Sequence, residues 1–308
     1  MKKIFLTSAA LALACGGGVA AMEGGGGAAF ASAEAKFGVT YDEANDGMEA
    51  QFFHDLDFSV GASGTTDDGI AFGASVKLDG NDSAGRVKNA RAHMTFDGMH
   101  TLTIGDGLDA ADILAGGLGD PGLDGVNADD HAEALRNKAN TDFLYEGTYG
   151  FATVGLSLGD VDAAGGDEEW AFGASFDLNP IRAGIGVDSN EVISLGANIA
   201  QGAVSAAMYY ALDDDTNGSA AGKPEGNSGG VEVGYKMSDN MSFQLVAGQS
   251  KIDDVKGSSF GGGFAHDLGG GATLKGGIGS YECTPILGDP CTNGEKYIKA
   301  DFGVAMTF

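Results

Sequence analysis

The sequence predicts an all-β fold: a 16-stranded antiparallel transmembrane β-barrel with an in-folded third long loop. Three observations predict it. The last thirteen residues, KYIKADFGVAMTF, alternate in polarity and end on Phe308. Short alternating segments recur along the chain from about residue 32. The connections between them alternate between tight turns and long acidic loops. Period-two alternation means a strand with one apolar and one wet face.

The final segment sets the template. Ile298, Ala300, Phe302, Val304, Met306 and Phe308 form one face, with Lys299, Asp301, Gly303, Ala305 and Thr307 on the other. A terminal strand ending on an aromatic is how outer-membrane barrels close, so this segment carries both fold and compartment.

The start of the chain reads as an export signal. MKKIFLTSAALALACGGGVAA has two lysines, an apolar run and small residues ending at Ala21, too short to cross a bilayer as a helix. Cleavage after Ala21 is expected, with Ala29-Phe30-Ala31 as a second small-residue site, and Cys15 is read as lost with the signal. Residues 22–31 read as a flexible lead-in around the glycine run Glu23–Ala29, and residues 32–308 as the barrel. No apolar run approaches the ~18 residues of a membrane-spanning helix.

Formal charge is −27 and becomes −29 once Lys2 and Lys3 leave with residues 1–21, which hold no acid. Phosphate binding needs clustered cations, so such acidity excludes nucleic acid as a partner. Cys283 and Cys291, flanked by Pro285, Gly288 and Pro290, read as a disulfide closing one loop of an exported protein. With no nearby histidine they do not form a zinc site.

Sixteen segments follow: 32–41, 50–61, 69–79, 87–96, 99–105, 141–147, 150–158, 168–178, 181–188, 191–200, 203–212, 229–237, 240–249, 258–267, 271–281 and 296–308. After cleavage, 308 − 21 = 287 residues give about 18 per segment, enough for a tilted strand and its connection. An even count lets an antiparallel sheet close with no free edge. Asp97-Gly98, Tyr149-Gly150, Asn179-Pro180, Gln201-Gly202 and Asp239-Asn240 are tight turns, whereas 42–48, 80–86, 106–140, 159–167, 213–228 and 282–295 are long. Long loops collected at one end are the habit of bacterial barrels, and 189–190 is the exception.

The faces agree with lipid outside and water inside. Ile70, Phe72, Ala74, Val76 and Leu78 oppose Ala71, Gly73, Ser75 and Lys77; Ile181, Ala183, Ile185 and Val187 oppose Arg182, Gly184, Gly186 and Asp188. In 32–41, Ala35, Phe37, Val39 and Tyr41 oppose Glu34, Lys36, Gly38 and Thr40. Charged inner faces need a hydrated lumen, which sixteen strands provide and eight do not. The 54 glycines, among them Gly261 and Gly263, are expected to keep that lumen open and ease curvature.

Four phrases resemble the general diffusion porins of alphaproteobacteria: SGTTDDGIAFGAS at 63–75, ILAGGLGDPGLDGV at 113–126, GFAHDLGGGATLKGGIG at 263–279, and the terminal strand to Phe308. The resemblance implies a homotrimer of water-filled outer-membrane pores in contact with lipopolysaccharide, passing small hydrophilic solutes and ions. It also implies that the third long loop narrows the pore. Residues 106–140 take that place, being too long for a simple connection, and supply Asp106, Asp109, Asp112, Asp120, Asp124, Asp129, Asp130 and Glu133. Wall candidates are Lys36, Arg91 and Arg182, with Arg86 and Lys88 near a strand mouth. Where related chains commonly carry arginines, this one has Asp55 and Asp57, so a cation-preferring pore is expected.

Enzyme signals do not accompany this pattern. His54, His93, His100, His131 and His266 are scattered, and no G-x-x-x-x-G-K-[ST] phosphate loop occurs. No cofactor is expected, although Asp213-Asp214-Asp215 and Asp253-Asp254 are candidate holders of loosely bound Ca²⁺. A substrate-specific channel and an outer-membrane barrel enzyme are the alternatives. Trp170 opens a strand at its outer-loop end, as an aromatic belt requires.

Overall fold

The computed structural model describes residues 20–21, 27–45, 49–80, 87–124, 126–136, 139–159, 169–213, 226–252, 255–282 and 294–308. Sixteen strands build one closed antiparallel sheet: β1 (Ala28–Asp42), β2 (Ala50–Thr65), β3 (Ala71–Asp79), β4 (Val87–Phe96), β5 (His100–Gly105), β6 (Thr141–Tyr149), β7 (Ala152–Gly159), β8 (Trp170–Asp177), β9 (Ile181–Asp188), β10 (Val192–Gln201), β11 (Val204–Asp213), β12 (Gly226–Ser238), β13 (Met241–Ile252), β14 (Val255–Gly269), β15 (Ala272–Glu282) and β16 (Lys296–Thr307). One helix, α1 (Ala110–Ala115), lies between β5 and β6. Each strand pairs with its sequence neighbour, and β16 closes on β1 from Lys299↔Asp42 to Thr307↔Glu34. The terminal Phe308 exchanges backbone hydrogen bonds with Ala33, at 2.9 and 3.3 Å, so the chain end is part of the seam.

Side-chain exposure follows the alternation. Phe72, Phe172, Ile185, Leu195, Val231, Leu245, Phe260, Ile278 and Phe302 are large apolar residues left exposed on the outer face. Water cannot satisfy such a band, but hydrocarbon can, and the sheet leaves no backbone edge in it. At the tight-turn end, Asp97 and Gly98 both take positive φ, +53° and +65°, the twist that a two-residue hairpin demands.

Three details differ from the sequence reading. The first strand starts at Ala28, inside the expected lead-in, because Ala28–Ala31 pair with Val60–Ser63 of β2. Ala20–Ala21 add a two-residue bridge to Ala28 and Ala29. β13 and β14 run on to residues 252 and 255, making a second short outer connection beside 189–191. That first short connection is held by Asp188, whose carboxylate accepts the N–H groups of Asn190 and Val192 at 2.8 and 3.1 Å. Residues 1–19 and 22–26, Arg86, Asp214, Asp215, Asp253, Asp254, Cys283 and Cys291 lie outside the described residues, as does the side chain of Lys88.

The buried core is not on the lipid side. It lies between the inner wall and the loop that connects β5 to β6, where Leu108, Leu114, Leu118, Leu123, Val126 and Leu135 are at most 8% exposed. Full burial of such a side chain contributes roughly 1.5–3 kcal/mol, so the loop is a packed layer and not a surface excursion.

Candidate functional site: the loop inside the barrel

The loop begins on Arg91 of β4, whose guanidinium donates to the carbonyls of Asp106 at 3.2 and 3.0 Å and of Gly107 at 3.1 Å. Asp109 then caps α1, its carboxylate accepting from the N–H groups of Ala111 and Asp112 at 2.8 and 3.3 Å. Gly116, at φ +81°, ends the helix. Alanines at 110, 111 and 115 leave α1 thin enough to lie flat on β8, β9 and β10.

The wall beneath is made to receive it. A Cβ at Gly173, Gly184 or Gly196 would collide with the carbonyl oxygens of Ala110, Leu114 and Ala115. Farther round, Gly230 and Gly248 face Ala132, Gly261 faces Ala128, Gly263 faces Gly122, and Gly303 and Gly38 face Leu123. The inner-face glycines therefore seat the loop. Gly261 and Gly263, expected to hold the lumen open, are covered by it.

Inner-face polar groups then fix the loop backbone. Ser157 accepts from the N–H of Ala110 at 3.0 Å, and Ser259 donates to the carbonyl of Ala128 at 2.6 Å. Glu232 accepts the Gly119 N–H at 2.8 Å while Gln244 donates to the Gly119 carbonyl at 2.7 Å. Asp301 accepts from Leu123 and Asp124, each at 2.9 Å. The fully buried ring of His131 lies between Ser250 Oγ, at 3.2 Å, and the Glu282 carbonyl, at 3.0 Å. A carbonyl only accepts, so Nε2 carries a proton.

The eight loop acids divide by position. Asp109 and Asp112 are 3% and 4% exposed and belong to the packing of the loop. Burial raises the Asp109 carboxyl above its ordinary range despite the backbone N–H groups it accepts. Glu133 accepts the Leu118 N–H at 2.5 Å and pairs with Arg136 at 2.6 Å; the same guanidinium lies 3.4 Å from Asp112. Asp106, Asp120, Asp124 and Asp130 are exposed and Asp129 is half-buried. Burial, with Glu133 and Asp130 nearby, pushes the Asp129 carboxyl up to about 6.

Of the wall candidates, Lys36 on β1 forms an ion pair with Asp124 at 2.8 Å, joining wall to loop. On β2, Asp55 and Asp57 bring carboxylate oxygens within 4.8 Å of one another and of Asp79 on β3, an acid absent from the sequence expectation. Lys77 pairs with Asp57 at 2.7 Å. Arg182 lies on the inner face of β9, with Glu146 of β6 within its electrostatic reach. The loop therefore rests on β7–β16 and β1, with Tyr209 and Ala211 of β11 in one buried cluster with Leu118, Ala132 and Leu135, and the open lumen lies against β2–β4. The anchors Ser157, Glu232, Gln244, Ser259 and Asp301 were not singled out from sequence; an isolated polar side chain among inner-face glycines is the pattern that marks most of them.

A closed barrel with an apolar outer band, narrowed from within by its own loop, is an outer-membrane channel. A family model described as Gram-negative porin matches residues 7–284, and the chain belongs to that family. It is 28% identical to a porin of Rhodobacter capsulatus over 287 residues, which cover 80% of this chain and 92% of the relative. Among solved structures, a porin refined at 1.8 Å superposes with a TM-score of 0.68 at 22% identity, covering 91% of this chain and all of the other. An anion-selective porin from Comamonas acidovorans gives 0.69 at 14% identity over 92% of this chain and all of the other. The protein is thus an outer-membrane diffusion channel and not an enzyme.

Proposed function

We propose that the channel passes small hydrophilic solutes and ions passively, with preference for cations. The observation that carries this reading is the wall opposite the loop. Asp55, Asp57 and Asp79 cluster there, facing the side on which Asp124 lies, with Lys36 and Lys77 as the paired cations. Four carboxylates against two ammonium groups and the Arg91 guanidinium leave the passage negative, and the exposed Asp106 and Asp130 add to it. Acid-lined constrictions favour cations. The anion selectivity named for the Comamonas protein belongs to a chain only 14% identical to this one; selectivity follows lining charges and not the shared fold.

The family supports a homotrimer surrounded by lipid and lipopolysaccharide. Export by a signal removed after Ala21 agrees with the pairing of Ala28–Ala31 in β1, which cleavage after Ala31 would delete. The reading of Cys283 and Cys291 as a disulfide rests on their place in one short segment of an exported chain. Swelling of liposomes in sugars of graded size tests the passive reading: entry rates should fall smoothly with solute size. One sugar entering far faster than smaller ones would mean a substrate-specific channel instead.

A further inference from the structure

Cations on this barrel are sorted by face. Among the strand cations whose side chains are described, three point to the exterior, and all three sit together at the loop end of β13–β16: Lys251, Lys256 and Lys296. Their orientation is fixed by neighbours that face inward. Ser250 bonds the ring of His131, Ser259 bonds the loop carbonyl of Ala128, and Tyr297 stacks inside on Tyr281. Residues one position away from these, or three in the case of Lys256, point outward.

The outer face changes character stepwise toward this rim. On β13 it runs Leu245, Ala247, Gln249, Lys251; on β14, moving in the same direction, Phe264, Gly262, Phe260, Ser258, Lys256. Apolar residues give way to an amide or hydroxyl and then to an ammonium, the order of hydrocarbon, interface and headgroup. Lys251 and Lys256 lie directly opposite each other across the hairpin. Like charges so placed are destabilising unless anions offset them. The adjoining strand supplies one, Glu282, which accepts from Ser258 Oγ at 3.1 Å and stands opposite Lys296 in the register.

We infer that this rim binds the phosphorylated headgroup of the outer-leaflet glycolipid, its phosphates against Lys251, Lys256 and Lys296 and its acyl chains along Phe260, Ile278 and Ile298. Charge complementarity selects the occupant: in a chain of net charge −27, an outward cationic patch just above an apolar band suits an anion whose tail lies in that band. The inference deepens the proposed contact with lipopolysaccharide by giving it a place on the barrel and a direct, cation-free mode of binding.

The test is native mass spectrometry of the full protein in detergent, titrated with bisphosphorylated lipid A and with its phosphate-free counterpart. Wild-type protein should prefer the phosphorylated form. Replacing all three lysines as K251Q/K256Q/K296Q should weaken that binding roughly a hundredfold, each basic group near an anionic surface counting for a factor of about five. The triple arginine variant should retain it, which separates loss of charge from loss of fold. Unchanged affinity in the glutamine variant, equal binding of phosphate-free lipid, or displacement by millimolar inorganic phosphate would overturn the assignment. Single-channel conductance of the glutamine variant should equal wild type, and a channel that conducts normally while ignoring lipid A would sink this inference alone.

Discussion

Lys36 Nζ lies 2.8 Å from Asp124 Oδ1, joining the first strand of the wall to the far reach of the internal loop. Both groups are partly exposed, so the pair itself contributes less than about 1 kcal/mol to stability. Its larger effect is on the field in the lumen, where it neutralises one loop carboxylate. Lys36→Gln should therefore raise cation preference with little change in melting temperature. A reversal potential moved toward anions would contradict this.

The glycine seat gives a second expectation. Gly184→Val places a branched side chain where the Leu114 carbonyl now rests, and the neighbouring wall cannot yield without breaking its ladder. The loop should lift from β8–β10 and conductance should change, whereas Gly262→Val on the outer face, where a flexible Leu245 side chain is the neighbour, should leave conductance as it was. Equal conductance in both variants would show that the loop does not depend on this seat.

Asp109 and Asp124 separate structure from selectivity. Asp109→Ala removes the cap of α1, at a cost of about 0.5–2 kcal/mol, and should loosen the loop while barely moving the reversal potential. Asp124→Asn should do the reverse. Channel noise and reversal potential, recorded on the same preparations, distinguish the two; a selectivity change in Asp109→Ala equal to that in Asp124→Asn would refute the division.

Asp129 gives a pH dependence. With its carboxyl raised to about 6 by burial and by neighbouring acids, the folded protein takes up this proton more readily than the unfolded chain. Its ionised form thus opposes folding above pH 6, and that opposition disappears as pH falls through 6 toward the ordinary carboxylate range. Protonation also removes one negative charge from the loop, so cation preference should decline between pH 7 and pH 5. Burial and the neighbouring Asp129 push the Asp120 carboxyl up to about 7, so Asp129→Asn should remove part of that decline and Asp120→Asn with Asp129→Asn should flatten it, as measured by reversal potential at each pH.

Much of this architecture was legible in the sequence because a barrel writes itself as period two. Ile181, Ala183, Ile185 and Val187 against Arg182, Gly184 and Gly186 fix two faces without knowledge of the neighbours, and the length of 106–140 marks the internal loop. What period two cannot reveal is which inner positions meet the loop. Gly261 and Gly263 read as open lumen because a missing side chain looks the same whether water or a packed loop occupies the space. Asp109 and Asp112 read as pore acids for the same reason: charge is visible in sequence, but burial at 3% and 4% is a property of the packed loop. Asp301, four residues after Tyr297 in the terminal strand, is an inner-face residue like any other until Leu123 and Asp124 are brought to it from 178 and 177 residues away along the chain.

The central claim is that the wall of Asp55, Asp57 and Asp79, faced by the loop carboxylates, makes the passage negative. Zero-current potential across a planar bilayer bathed in a tenfold gradient of potassium chloride tests it most directly. The dilute side should become positive as potassium leads chloride, and Asp55→Asn with Asp57→Asn should bring the potential toward zero. A negative dilute side in the wild-type channel would contradict the account.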